Sequence, residues 1–425
     1  MRTFCIFLIA LGVSGIANAQ WIRLNSATEQ DLYSVYFISP AKGYAVGDQG
    51  TIVNTMNGGK DWEAQVSGTN FKLTSLCFTD SLTGYAVGEK GTLLSTADGG
   101  INWVLQSIGT EVNFNSVSFS DLLHGLIVGD AGTILYTEDG GDTWVQQASG
   151  VTTTLSSVCF ADTGAAYITS NSEDWNTEGI LLKSVNGGRS WSILALGRNW
   201  LPVVPKGLHF YLTSVCFTDS VNGCIVGYGV EGPQGPGDEV ALRRISDSFI
   251  LITTDGGLSW TETEGYGSKL LAVHSLSPDS GYVVGDKGNI LRTTNVGDEW
   301  SGQKSGITQT LRSVFFVDSL TGYTAGDEGI LLKTTNAGFS GPAGDADAGF
   351  IRLYPNPVNT ELTVMIQNSV NQCSLIVTNE NGAEVIVQQI EDNFLVLNVA
   401  GLTSGVYFLK FFNDDFCEVE KIVKL

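Results

Sequence analysis

The chain has 425 residues, a formal net charge of −22, and charged side chains at only 16% of positions. So acidic a chain with 22 Lys and Arg lacks the basic surface that nucleic acid requires for counterion release, and it would not dock directly on anionic lipid. The three histidines (His124, His209 and His274) are scattered. No Cys or His spacing matches a zinc site, so neither a metal nor a cofactor is expected.

In chain order, the first segment reads as a signal peptide over 1–19. Arg2 gives a positive start, Phe4 to Gly12 an apolar run, and Ala17-Asn18-Ala19 a small-x-small cleavage site, so the mature chain begins at Gln20. The apolar run is too short to span a bilayer, and no later stretch reaches about 18 apolar residues, so no membrane insertion is expected.

From Trp21 a unit of 41 residues recurs. Trp62, Trp103 and Trp144 are spaced by 41 and each closes a turn: "TMNGGKDW", "TADGGINW", "TEDGGDTW". The turn returns at Trp191, Trp260 and Trp300, and a seventh copy at 334–341 carries Gly341 where Trp is expected. Within one unit the strands are Leu73–Phe78, Tyr85–Gly88, Thr92–Thr96 and Trp103 to Ser107, with Gly/Asp/Asn turns between alternating apolar residues. Four short strands repeated seven times predict an all-β fold, a seven-bladed β-propeller over 20–341. Trp21 stands 41 residues before Trp62, in register. The N-terminal strand should therefore supply the missing fourth strand of the last blade and leave no open edge.

These turns resemble the Asp-box (BNR) pattern of sialidases and many other propellers. The longer stretch "GYAVGDQGTIVNTMNGGKDW" looks like the photosystem II stability/assembly factor family. That resemblance implies a propeller and a habit of binding. In the box itself, Asp98 or Asn57 should accept hydrogen bonds from its own turn, the Gly pair permits left-handed backbone, and the Trp should be buried between blades.

Three places break the 41-residue period: "SNSEDWNTEG" at 170–179, "GRNWLPVVPKGLHFY" at 197–211, and "YGVEGPQGPGDEVALRRISDS" at 228–248. All belong to the face that carries the strand 2–3 turns, on blades four and five. They present Trp175, Arg198, Trp200, His209, Tyr211, Arg243 and Arg244, aromatics and arginines typical of binding surfaces, as candidate ligand-binding residues. The same face carries a ring of turn acids, Asp48, Glu89, Asp130, Asp286 and Asp327, expected to stabilise tight turns, with a bound cation or basic partner as the alternative. Cys77, Cys159 and Cys216 occupy one repeat position and are expected to be too far apart to bridge. Cys216 with Cys224, and Cys373 with Cys417, are candidate disulfides.

After a small, acidic linker at 342–349, the repeat is gone. Residues 350–425 read as five or six alternating strands with an Asn381-Gly382 turn, a small Ig-like β-sandwich. Tyr354-Pro355-Asn356-Pro357, Gly382, Gly405 and Tyr407, with Lys421 and Lys424 in the terminal strand, resemble the type A sorting domain of the Bacteroidota type IX secretion system. The resemblance implies the type IX machinery as a partner and passage to the outer-membrane surface or the medium.

The reading that fits is a secreted or cell-surface binding or scaffold propeller, monomeric and non-catalytic, with an unidentified protein or glycan ligand. The alternatives are a glycoside hydrolase using Glu173 or Asp174 with Asp238 or Glu239, and a chaperone-like assembly factor by family analogy. Catalytic residues should break the repeat's symmetry, and the box acids obey it.

Overall fold

The computed structural model describes residues 21–171, 179–194, 208–231, 245–263, 267–338, 351–354, 357–366, 373–390, 394–412 and 417–425. One compact unit spans 19–339 and another holds 340–425.

The first unit contains seven four-stranded antiparallel sheets. Blade one is Leu32–Phe37, Gly43–Gly47, Ile52–Thr55 and Glu63–Gln65. Blades two to six follow the same plan, and blade seven joins Leu311–Phe316, Gly322–Gly326 and Leu331–Thr334 to Ile22–Arg23. The N-terminal strand pairs Ile22 with Lys333 and Arg23 with Leu332, closing the ring as the register of Trp21 predicts. Trp21 is 1% exposed. Its ring meets Phe316 edge-on at 5.9 Å, and its Nε1 donates to Gln303 of blade six at 2.8 Å.

The core lies between blades rather than within one. Leu32, Val35, Ala45 and Val53 of blade one share a buried cluster with Tyr323, Ala325 and Leu331 of blade seven. A single sheet can bury a face only against its neighbour, so the apolar alternation of each strand is satisfied by the next blade around the ring.

Polar contacts repeat with the same period. In six blades the Ser at the third position of the first strand accepts from a backbone N–H of the next blade: Ser34 from Leu76, Ser75 from Val117, Ser116 from Val158, Ser157 from Val215, Ser214 from Val273 and Ser313 from Val35, at 3.1–3.3 Å. Blade six has Ala272 at this place. A second latch runs outward. Tyr167, Tyr282 and Tyr323 donate to the Asp-box turn of the next blade, at Gly256 (2.8 Å), Ala337 (3.1 Å) and Gly58 (2.9 Å), and Tyr44 and Tyr85 do the same at Gly99 and Gly140.

The boxes behave as expected. Asp98 Oδ1 accepts from Asn102 N and Thr96 Oγ1, both at 2.9 Å, while Gly99 and Gly100 take φ of 69° and 78°. These bonds, Asn102's backbone amide first, hold the Asp98 carboxyl down at about 2.

The cysteine expectations need correction. Cys216 and Cys224 face each other across adjacent strands, and both are free thiols. Cys77 and Cys159 are free thiols as well. First strands of successive blades pack side by side at the axis, and Cys159 Sγ accepts from Phe217 N at 3.3 Å. The side chains of Cys373 and Cys417 lie outside those described.

The second unit has two sheets. One is ordered Ile351–Tyr354, Glu361–Ile366, Phe394–Asn398, and the other Glu384–Ile390, Cys373–Asn379, Gly405–Phe412, Cys417–Lys424. That makes seven strands among the described residues, against the five or six expected, because Ile351–Tyr354 and Phe394–Asn398 are short edges flanking Glu361–Ile366. Val358, Leu362, Leu375, Leu409, Phe411 and Ile422 belong to its own core.

Candidate functional site

The strand 2–3 turns on one face are short 3-10 turns, such as Asp48–Gly50. The middle residue, Gln49, has φ of 54°, and Gly50 follows at 69° with Thr69 O only 2.0 Å from where a Cβ would stand. Backbone bonds hold the turn: Thr51 N donates to Asp48 O and Gly47 N to Thr51 O, both at 3.0 Å. No side chain caps these turns, and three of the acids expected to stabilise them, Glu89, Asp130 and Asp327, act through neighbouring side chains. Their carboxylates reach instead toward polar side chains at or just before the first strands. Glu89 pairs with Lys72 at 3.0 Å, Asp130 accepts from Asn113 and Asn115 at 3.0 and 3.1 Å, and Asp327 bonds Arg312.

At the second position of the first strand, the repeat carries a small polar residue in four consecutive blades. Thr74, Asn115, Ser156 and Thr213 each donate to a backbone carbonyl of the next blade, at 2.7, 2.9, 2.6 and 2.8 Å. Blades six, seven and one have Leu271, Arg312 and Tyr33 there. This break in symmetry builds a cluster where blades seven, one and two meet. The Arg312 guanidinium lies 4.8 Å and Lys72 Nζ 5.1 Å from the Tyr33 ring centre, a doubly cation-covered aromatic. Asp31 stands 4.0 Å from Arg312. Burial, then the charge of Asp31, pushes the Asp48 carboxyl up. Burial is the largest influence on Lys72 and opposes its charge, but the bond to Glu89 together with the charges of Tyr33, Glu89 and Asp48 holds the ammonium up. The sequence signal for this cluster was the loss of the small polar residue at one repeat position in three adjacent blades.

Blade five departs in another way. Its first three strands run Leu208–Phe217, Gly223–Glu231 and Ile245–Thr253, so parts of the 197–211 and 228–248 insertions extend the sheet instead of forming loops. Tyr211 stacks on Tyr228 at 5.1 Å, directly opposite it in register, with Lys269 Nζ 5.0 Å from the Tyr228 ring. Of the other candidate binding residues, His209 pairs with Val230 in the extended strand, its side chain outside those described. Trp175, Arg198, Trp200, Arg243 and Arg244 lie outside the described residues, as do Glu173, Asp174, Asp238 and Glu239.

On the same face a groove of about 1090 Å³ opens between blades one and two, lined by Gln49, Thr69, Phe71, Lys90, Leu105 and Glu111. Among the described residues no cluster of His, Cys, Asp and Glu could hold a metal ion, and no helix is long and apolar enough to cross a membrane.

In the second unit, Gly382 closes its turn at φ 78° with its N donating to Asn379 O at 2.9 Å. Gly405 opens the strand that carries Tyr407, whose hydroxyl donates to Thr403 O at 2.9 Å. Lys421 is exposed and Lys424 is 7% exposed. Tyr354 ends its strand, Pro357 is exposed, and Pro355 and Asn356 lie outside the described residues.

Residues 13–106, 66–146 and 101–216 match the family described as photosynthesis system II assembly factor YCF48, and residues 352–425 match the secretion system C-terminal sorting domain. No curated protein matches the chain. Among solved structures it resembles YCF48 bound to D1 peptide, with TM-score 0.56 and 17% identity over 75% of this chain and 97% of that one. YCF48 from Cyanidioschyzon merolae gives TM-score 0.54 and 19% identity over 74% and 98%. PorZ, a bacterial surface component of the type IX secretion system of Porphyromonas gingivalis, gives TM-score 0.51 and 12% identity over 93% of this chain and 59% of that one.

Proposed function

For a chain that is a seven-bladed propeller with repeats of the photosystem II assembly factor type and a secretion system C-terminal sorting domain, we propose a non-catalytic binding role at the cell surface. A signal peptide over 1–19 starts its export. The domain at 350–425 hands it to the type IX machinery, and the propeller holds a protein or glycan on the face of the strand 2–3 turns.

The carrying observation is where symmetry fails. Scaffold positions repeat blade after blade, whereas Tyr33, Arg312 and the tall blade five depart from the repeat, all on one face. An aromatic ring gripped by cations and rimmed by carboxylates offers stacking and charge recognition together, the mixture found at binding hot spots. The insertions carrying Trp175, Trp200 and Arg243 leave from the same face.

The test is capture by the full-length chain, screened against surface proteins and a glycan array. Tyr33→Thr installs the residue that blade two carries at this position, so the blade should still fold. Capture should weaken at least tenfold in Tyr33→Thr, and also in a variant with Trp175, Trp200 and Arg243 all replaced by Ala, at unchanged melting temperature. Unaltered capture in both variants removes this face from the reading.

A further inference from the structure

The groove between blades one and two is walled by two successive copies of the same loops. One wall is the turn at Gln49 with the loop from Ser67 to Phe71, and the other is the turn at Lys90 with the loop from Ile108 to Glu111. Both loops are fixed by their own bonds. Ser67 Oγ donates to Thr69 O and Phe71 N to Thr69 Oγ1, both at 3.1 Å. Val112 N donates to Thr110 Oγ1 at 3.2 Å, and Gly91 N to Val112 O at 2.8 Å. A ligand would meet walls already in place, which lowers the cost of ordering them on binding.

The side chains on these walls have open valences that the repeat closes elsewhere. Phe71 is 47% exposed; at its repeat position only Phe210 is also aromatic, and that ring is 5% exposed. The Trp103 indole, which can only donate, bonds Gln65 Oε1 at 3.1 Å and so orients the Gln65 carboxamide. Gln303 of blade six accepts from Trp21 in the same way but gives its Nε2 to Ala337 O at 2.9 Å. Gln65 Nε2 has no such partner among the described residues. Gln106, at the same place in blade two, donates to Ser95 Oγ at 2.9 Å and leaves its carbonyl open. Among the described lining residues the only cation is Lys90 and the only acid Glu111, a balance unlike that of a chain of net charge −22.

We propose that this groove binds a neutral oligosaccharide, a reading that rests on the binding role of this face but not on the Tyr33 cluster. A sugar ring has an apolar C–H face and a rim of hydroxyls, each both donor and acceptor. Phe71 offers a flat apolar surface to the first. Gln65 and Gln106 offer a donor and an acceptor to the second. The volume of about 1090 Å³ lies at the upper end of the roughly 300–1,000 Å³ usual for small-ligand sites, so it suits several linked rings rather than one. An acidic glycan calls for an excess of cations and a basic peptide for an excess of acids, and the described lining has neither. With Glu111 as its one described acid, the groove lacks the carboxylate pair of glycoside hydrolysis, so the sugar is held intact.

The experiment screens the full-length chain on an array of neutral cello-, laminari-, malto-, manno- and chito-oligomers of increasing length, beside uronic-acid oligomers, and follows each hit by calorimetric titration. At least one neutral series should bind, more tightly with length until the groove is filled, and independently of added salt. Phe71→Ala should weaken binding about tenfold or more at an unchanged melting temperature, because the lost ring is an exposed anchor. Tyr33→Thr should leave it unaltered. A blank array, binding of the uronic-acid oligomers alone, or neutral binding that survives Phe71→Ala would each overturn the proposal. Capture of a surface protein or charged glycan that is lost in Tyr33→Thr would still uphold the wider role of the face, so the two readings fail separately.

Discussion

At the scale of single residues, the propeller is held by small polar side chains that sequence patterning makes look ordinary. Ser157 is one half-buried Ser in a strand, yet its hydroxyl is the acceptor for Val215 N in the next blade. Each such bond satisfies an N–H on the inner edge of a first strand, where no further strand exists to pair with it. Blade six breaks the series, since Ala272 offers no hydroxyl to the Val314 N–H. Replacing Ala272 with Ser adds one oxygen at a position where six blades already accommodate it. Ala272→Ser should therefore stabilise the chain by about 0.5–1.5 kcal/mol, read as a higher midpoint in urea with an unchanged denaturant slope. The converse, Ser157→Ala, strands the Val215 amide and should lower the midpoint.

At the scale of elements, the decisive strand is the shortest. Ile22–Arg23 contributes two residues to blade seven, but Trp21 before it fills the place held in other blades by the box Trp. Its edge contact with Phe316 repeats that of Trp62 with Phe37 (6.0 Å) and Trp103 with Phe78 (6.0 Å). Trp21→Ala should cost about 3–5 kcal/mol, the usual range for an aromatic removed from a core. It should do so although the residue lies at the edge of the folded chain, whereas substitution of the neighbouring exposed Ile22 should change the urea midpoint little. A midpoint for Trp21→Ala matching that of the Ile22 variant would mean the ring closes without its latch.

This closure was legible in the sequence because a 41-residue step fixes register, and a missing Trp at one end with a spare one at the other leaves one arrangement. The extension of blade five was not legible. "YGVEGPQ" and "ALRRISDS" carry the Gly, Pro and charge of a loop, and only the pairing of Tyr211 with Tyr228 and of His209 with Val230 shows their flanks as strand. The contact of Cys159 with the Phe217 amide was hidden for a related reason. Equivalent positions in adjacent blades are far apart along the chain and toward the rim, but first strands converge at the axis. Likewise the Tyr33 cluster required knowing which residues face the next blade. From spacing alone, Tyr33 and Arg312 were two more polar positions beside an apolar strand.

At the scale of the whole molecule, the two units have separate cores. The buried cluster of the second unit runs from Val358 to Ile422 and includes no propeller residue, while every strand of the seven blades lies between Ile22 and Thr334. Removing 350–425 thus takes away none of the described propeller strands, boxes or blade-to-blade latches. The truncated chain should keep the propeller's melting transition and its ligand capture in vitro, because Trp21 and Leu331–Thr334 still close blade seven. In the cell the outcome should differ sharply. With the proposed signal peptide over 1–19 intact but the segment matched by the sorting domain gone, the folded propeller should accumulate in the periplasm. Fractionation with surface proteolysis of intact cells reads this directly: full-length chain outside, truncated chain protected inside. Truncated propeller recovered from the surface or medium at full-length levels would separate the C-terminal unit from sorting. Truncated propeller that fails to melt cooperatively would instead mean the second unit supports the first, so a periplasmic pool counts for sorting only when the melt is intact.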